Sequence, residues 1–409
     1  MAQSPAPPPP ILSRALVLLF VSSFGAIVNF YLLLSVVPLY ATSLGAGRIG
    51  AGLATGAMMF ATVAAELVTP RLVGRFGYRL VFAAGLAMLG LPALALPVSA
   101  SMAAIVAGNI VRGFGLAVTV VAGMALVVVL VPRERRGEAL GLYGVVAGVP
   151  AVVALPLGVW LAGHVGYPPV FIAAAVSALA GLALVPGLPG RETTPRRMVG
   201  LLAGLRAPAL VRPSLLFSVT AVAAGVVVTF LPLAVTRSAG TLAAAALLVQ
   251  ASATTLTRWW TGLRADRHGS AGLLIPSVAV AAVGVLAIAL VDSPMAVLGG
   301  MLLLGAGFGV AQNASLVLMF ERVSQEGYDT VSALWNLAYD AGMGLGASAF
   351  GVLAARTGYP LAFAVTAAAM LAALAPTWRD RAWLAADESE AARVNRRAAA
   401  PVEVDSAES

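Results

Sequence analysis

Apolar residues run along this chain in long uninterrupted blocks, and each block ends in a short cluster containing arginine, proline or glycine. Twelve blocks can be marked, at roughly 13–38, 48–69, 80–99, 102–131, 138–162, 169–186, 213–235, 241–261, 271–291, 295–320, 330–355 and 361–377. Most reach the length of about 17–25 residues that crosses a ~30 Å hydrocarbon core. The apolar/polar alternation of a barrel strand is absent. Backbone inside lipid must satisfy its own hydrogen bonds, so the pattern predicts twelve transmembrane helices. The Gly and Pro inside the blocks would weaken soluble helices but suit membrane ones.

Composition sharpens this picture. Of 409 residues, 60% are hydrophobic and only 10% charged, with a mean hydropathy of +0.95. A soluble domain carries about 25% charged residues, so most of this surface must face lipid. The formal charge of +8 comes entirely from arginine, since the chain has no lysine. Numbering the connections alternately from a cytoplasmic N-terminus puts twenty-one arginines on the inner side, with Arg258 tallied among those of the loop after the eighth run. Three fall outside (Arg48, Arg237, Arg356), and Arg112 lies within a span. By the positive-inside rule this places both termini in the cytoplasm, as expected of a multi-pass protein of the cell membrane. Topology thus accounts for the charge, and no nucleic-acid partner is needed. With no cysteine, disulfide frameworks and thiolate chemistry are excluded. No phosphate-binding Gly-x-x-x-x-Gly-Lys loop can be built without lysine, and no metal-ligand cluster or nucleophilic triad stands out. An enzyme, a cofactor and a bound metal are therefore not expected.

The chain repeats itself. "ELVTPRLVGRFGYR" and "WWTGLRADRHGS" align with Arg75 192 positions before Arg267 and Gly77 192 before Gly269. Pro38 and Pro232 match at 194, as do Gly113 and Gly307 in "RGFGLAV" and "AGFGVAQ", while Gly166 and Gly358 match at 192. The expected organisation is a disordered proline-rich lead (1–12), a six-helix bundle (13–186), a cytoplasmic linker (187–212), a second six-helix bundle (213–377) and a disordered cytoplasmic tail (378–409). Six helices per half leave the repeats parallel, related by an axis along the membrane normal.

In these features the chain resembles the major facilitator superfamily over about 13–377. "GLRADRHG" matches that family's loop signature through Gly262, Asp266, Arg267 and Gly269. In the first half only Arg75 and Gly77 survive, with Pro70 and Gly74 replacing the signature Gly and Asp. "GVPAVVALPLGVWL" resembles the Gly/Pro motif of the family's proton-driven exporters through Gly148, Pro150, Pro156 and Gly158. The resemblance implies an all-α fold of twelve transmembrane helices in two six-helix parallel repeats. It also implies a cytoplasmic gate in which Asp266 meets the positive N-terminal end of the fifth helix, near Gly137 and Glu138. Glu66 is a substitute for the acid missing from the first loop.

Asp340 is the most pointed polar residue, since a carboxylate in the middle of a span is costly and marks function by default. Ser332, Asn336, Tyr339, Asp340 and Met343 recur at helical spacing and form one polar face. The repeat sets Gly148 opposite Asp340 in the alignment, so the acid serves one half alone. Arg112 is the second intramembrane charge. It stays protonated and is expected to find an anion, either a protein carboxylate or a substrate. Asn109 lies one turn before it, and Asn29 with Tyr31 and Gln312 with Asn313 are further candidate contacts in helices that line the cavity in the family.

These residues point to a monomeric secondary transporter working by alternating access, exporting a small, partly hydrophobic compound in exchange for protons. Proton-coupled uptake of a nutrient or metabolite is the alternative. A sensor or scaffold without flux is a third class, which the complete loop signature opposes.

Overall fold

The computed structural model describes residues 13–98, 101–132, 135–190, 204–235, 240–268, 271–324 and 327–375. Twelve long helices carry the chain. In the first half they are α1 (Arg14–Ser43, broken at Ser35), α2 (Gly47–Phe76), α3 (Tyr78–Ala95), α4 (Met102–Leu130), α5 (Arg136–Val165) and α6 (Tyr167–Leu184). In the second they are α7 (Pro208–Ala234), α8 (Thr241–His268), α9 (Ala271–Ile288), α10 (Pro294–Phe320), α11 (Tyr328–Thr357) and α12 (Tyr359–Ala372). No strand occurs among the described residues. Among the described residues, nine of the helices are long and apolar enough to cross a membrane, and α12 and most of α9 form two shorter apolar helices. The remaining one, α8, carries Gln250, Ser252, Thr254, Thr255, Thr257 and Arg258 along its middle.

The structure begins α7 at Pro208, five residues before the expected boundary at 213. Proline is well placed there, because its fixed φ and missing N–H suit the first helical turn. Gly166 (φ 85°) and Gly358 (φ 80°) turn the chain between α5 and α6 and between α11 and α12. Both need the left-handed conformation that glycine alone adopts freely, and the repeat aligns the two positions.

The repeat is in register down to single contacts. A Cβ on Gly113 (α4) would strike the carbonyl oxygen of Met58 (α2), and one on Gly305 (α10) would strike that of Gln250 (α8). Thr62 Oγ1 donates to the Gly113 carbonyl at 3.2 Å and Thr254 Oγ1 to the Gly305 carbonyl at 3.1 Å. Each of these pairs is 192 residues apart. The offset of 194 expected for Gly113 and Gly307 is thereby corrected: packing pairs Gly113 with Gly305 and Gly115 with Gly307. The shared "GFG" letters had suggested a match that backbone packing does not keep. Small residues let these helices approach closely, which is how apolar helices associate without a hydrophobic driving force between them.

The two halves meet along α2 and α11 and along α5 and α8. We call the end of the bundle where α1 and α7 begin the terminus side, and the other end the far side. On the far side, Arg48 Nη1 donates to the Ala354 carbonyl at 2.9 Å, and its guanidinium lies 4.6 Å from the centre of the Tyr359 ring. Below it, Gly52 and Gly56 of α2 pack directly on Ala347 and Ser348 of α11. Ser35 Oγ donates to the Val228 carbonyl, and Thr229 Oγ1 donates to Thr55 Oγ1 at 3.0 Å. Gly240 abuts Val159 at the head of the α5–α8 seam. Toward the terminus side, Gly141, Gly144 and Gly148 form a stripe on α5 with no atom in reach of an added Cβ. Among the described residues, the contacts between the halves close the far side, whereas open space runs along the α5 stripe on the terminus side.

Candidate functional site

Glu66 and Asp340 face each other across the seam between the halves, their carboxyl groups close enough to interact. Glu66 stands ten residues before the end of α2 and Asp340 twelve residues into α11, so each lies about 15–18 Å from the terminus-side helix ends at 1.5 Å per residue. Asp340 is buried, with 8% of its surface exposed, and Glu66 is half-buried. Ionised carboxylates have acceptors only, so two of them bond to each other only when one carries a proton. Asp340 is therefore not the isolated acid that the sequence suggested. Its partner is a residue expected near the inner end of its helix.

Two tyrosines extend the site. Tyr31 of α1 and Tyr339 of α11 come together across the halves, and both lie in the electrostatic field of Asp340 and of Arg258. Arg258 of α8 is open to the space between the halves, with no carboxylate partner among the described residues. Beside the tyrosines stands an aromatic wall. Trp335 stacks on Phe217 at 4.7 Å and 10°, and Tyr339 stacks on the same ring at 6.1 Å and 9°. Phe308 lies 6.2 Å from Tyr339. Trp335 Nε1 donates to Ser315 Oγ at 3.2 Å, which fixes the indole. Phe217 is fully buried, whereas Trp335 and Tyr339 are half-buried. The site thus has an acid pole, a basic pole and an apolar surface between helices of both halves.

Other expected residues lie elsewhere. Arg112, Asn109 and Asn29 come together inside the first half, not on the cavity. Arg112 Nη1 donates to Asn109 Oδ1 at 2.9 Å and Nη2 to Asn29 Oδ1 at 3.5 Å. The two amides in turn donate to the Ala54 carbonyl at 2.8 Å and the Ala174 carbonyl at 2.7 Å. Arg112 has no exposed surface, and its Nε has no hydrogen-bond partner among the described residues. The anion expected for Arg112 is absent among the described residues around it, and two amide oxygens take that place. They can do so because each asparagine offers one acceptor while its NH2 binds backbone.

Gln312 Oε1 and Asn313 Oδ1 are buried without partners among the described residues, and Asn313 borders Gly262 of α8. Asn336 is half-buried one turn before Asp340. Of the loop signature, Gly262, Asp266 and Arg267 belong to α8, but the Asp266 and Arg267 side chains and the whole of Gly269 lie outside the described residues. The proposed meeting of Asp266 with α5 lies outside them too. Glu138 occupies the first turn of α5 and pairs with Arg135 at 3.4 Å. Arg75 lies over the Phe76 ring at 5.2 Å, and Gly77 caps α2 with φ 78°. On α5, Pro150 and Pro156 are buried, Gly158 packs on the Leu32 carbonyl of α1, and Gly148 faces open space.

Arg258 and the ring system of Phe217, Phe308 and Trp335 were not singled out from the sequence. One signal was available for the arginine: 258 is 66 plus 192, so it is the repeat mate of Glu66. Among the described residues no cluster of three or more His, Asp or Glu could hold a metal ion.

Comparison with known proteins agrees with this architecture. Residues 19–347 match the model of the Major Facilitator Superfamily. An uncharacterized MFS-type transporter of Burkholderia mallei (strain SAVP1) is 43% identical over 77 residues, which is 19% of each chain. The match thus spans about a fifth of that relative's length. An uncharacterized MFS-type transporter of Mycobacterium tuberculosis (strain ATCC 25618 / H37Rv) is 29% identical over 139 residues, 33% of this chain and 24% of the relative. Among solved structures, the nucleoside transporter NupG superposes with a TM-score of 0.72 at 10% identity, covering 88% of this chain and 97% of its own. The xylose transporter XylE from E. coli, in a partially occluded inward-open conformation, gives 0.69 at 13% identity, covering 90% and 98%. At such identities these likenesses show the fold alone. With the family match covering most of its length, the chain belongs to the Major Facilitator Superfamily.

Proposed function

We propose that the protein is a proton-coupled exporter working by alternating access, with the terminus side in the cytoplasm and the Glu66–Asp340 pair as the coupling site. The observation that carries this reading is the meeting of two carboxyl groups, one from each half, away from the aqueous ends of the helices. With one proton shared, the pair ties α2 to α11 and supports the sealed far side. Without it, two carboxylates confront each other in a medium of low dielectric, and their repulsion favours separation of the halves. Substrate that enters from the open terminus side and displaces the proton therefore drives the change to the outward-open state. A proton arriving from the far side releases the substrate there and restores the seal. Proton entry is thus exchanged for substrate exit.

The arginine asymmetry supports a cytoplasmic terminus side in the cell membrane, and Asp266 with its neighbours is the gate that closes that side in the outward-open state. The protein functions as a monomer, because the cavity lies within one chain between its two halves. The reading is tested in proteoliposomes with an imposed pH gradient. Asp340→Asn and Glu66→Gln are expected to insert normally and to lose gradient-driven transport while retaining passive exchange. Full gradient-driven transport by both variants would overturn it.

A further inference from the structure

Arg258 has no role in the proton exchange just described, and a lone guanidinium deep in a membrane bundle needs an anion. It lies ten residues before the end of α8, about 15 Å from the terminus-side surface. It is exposed to the opening between the halves, where the Tyr31 and Tyr339 hydroxyls lie in its electrostatic field. The contrast with Arg112 is instructive. That guanidinium is fully enclosed and held by two amide oxygens, whereas Arg258 is accessible and has no such support.

The repeat explains why the described residues supply no partner. Glu66 on α2 meets Asp340 on α11, and the equivalent seam sets Arg258 on α8 against α5. There the position matching Asp340 is Gly148, which has no atom in reach of an added Cβ. Where one seam holds an acid, the other leaves room beside an arginine. The room continues along the Gly141, Gly144 and Gly148 stripe.

We infer that the transported compound is an amphipathic zwitterion whose carboxylate docks on Arg258, whose amine reaches the Glu66–Asp340 pair and whose apolar body lies on Trp335 and Tyr339. This rests on the exporter reading, which fixes the sign of the second charge. A group that displaces a proton from the acid pair must be cationic. A simple anion at Arg258 would instead favour proton binding, because the two ligands would then attract each other, and the cycle would become symport. A guanidinium also suits a planar carboxylate, which it can hold through two parallel N–H donors. The stacked rings of Phe217, Trp335 and Tyr339 offer a flat apolar surface between the poles.

The test uses the purified full-length protein and three probes with one ring system: naphthylalanine (zwitterion), naphthylpropionate (acid only) and naphthylethylamine (amine only). Wild type is expected to bind naphthylalanine at least about tenfold more tightly than either single-charge probe. Arg258→Gln is expected to lose that preference and bind naphthylalanine as weakly as the amine, while its amine affinity stays at the wild-type value, which also shows that it folds. Arg258→Lys should restore part of the preference. The inference is overturned if Arg258→Gln keeps the zwitterion preference, if wild type shows none, or if wild type binds none of the three. Proton movement on adding naphthylalanine in weak buffer reports separately on the exporter reading. Release supports it, whereas uptake, with the Arg258-dependent preference intact, rejects that reading and leaves the docking of the carboxylate standing.

Discussion

Glu66 and Arg258 occupy the same place in the two halves of the bundle. Each stands one turn after a threonine, Thr62 or Thr254, whose hydroxyl bonds the carbonyl of the repeat-matched Gly113 or Gly305. One framework therefore carries an acid in one half and a base in the other, and the cavity between them is dipolar. The framework makes its own prediction. Gly113→Ala and Gly305→Ala each push a methyl group into the backbone of a neighbouring helix and should cost about 1–3 kcal/mol apiece. Gly141→Ala, where nothing stands in the way, should stay within about 0.5 kcal/mol of wild type. Thermal unfolding in detergent distinguishes these outcomes, and an equal loss in all three variants would contradict the packing described.

Arg48 should act as the far-side latch. Its guanidinium bonds the Ala354 carbonyl in the last turn of α11 and covers the Tyr359 ring. Arg48→Ala removes one charge-assisted hydrogen bond and a cation–π contact, together about 2 kcal/mol. That is enough to move the inward–outward balance by a factor of about 30. The chain has no native cysteine, so a single Thr55→Cys probe gives a clean reading. Thiol labelling from the far side should rise sharply in Arg48→Ala, and unchanged labelling would show that the latch carries no weight.

Arg112 should matter for stability and not for coupling. Removing an amide that holds an enclosed guanidinium leaves charge without a partner, so Asn109→Ala should cost about 3 kcal/mol. Arg112→Met, which removes the charge and keeps most of the volume, should cost less. Both variants should retain proton-driven transport in proteoliposomes. Loss of coupling with normal stability would place Arg112 in the transport cycle after all.

Much of the architecture was legible in the sequence because it follows from block length and repetition. The twelve apolar blocks correspond to the twelve helices, and the turn glycines Gly166 and Gly358 take equivalent positive-φ conformations. The site was only half legible. Asp340 stands out within its own helix, but its partner Glu66 is on a helix of the other half, and no periodicity reports a contact across that seam. Arg258 was hidden among the arginines of the following loop. Asn29, Asn109 and Arg112 misled for the opposite reason: polarity within a span marks a buried group, and burial inside one half looks the same in sequence as burial beside a cavity.

The central claim is that one proton shared by Glu66 and Asp340 holds the far side shut, and it can be tested without knowing the substrate. Spin labels at Ile49→Cys and Val352→Cys, both exposed near the far-side ends of α2 and α11, report the distance between the halves as pH is raised from acid to alkaline. The account predicts a single short distance in acid, with a longer-distance population growing as the pair loses its proton. It also predicts that Glu66→Gln combined with Asp340→Asn stays at the short distance throughout. An identical pH response in that double variant, or no response in the wild-type background, would contradict it.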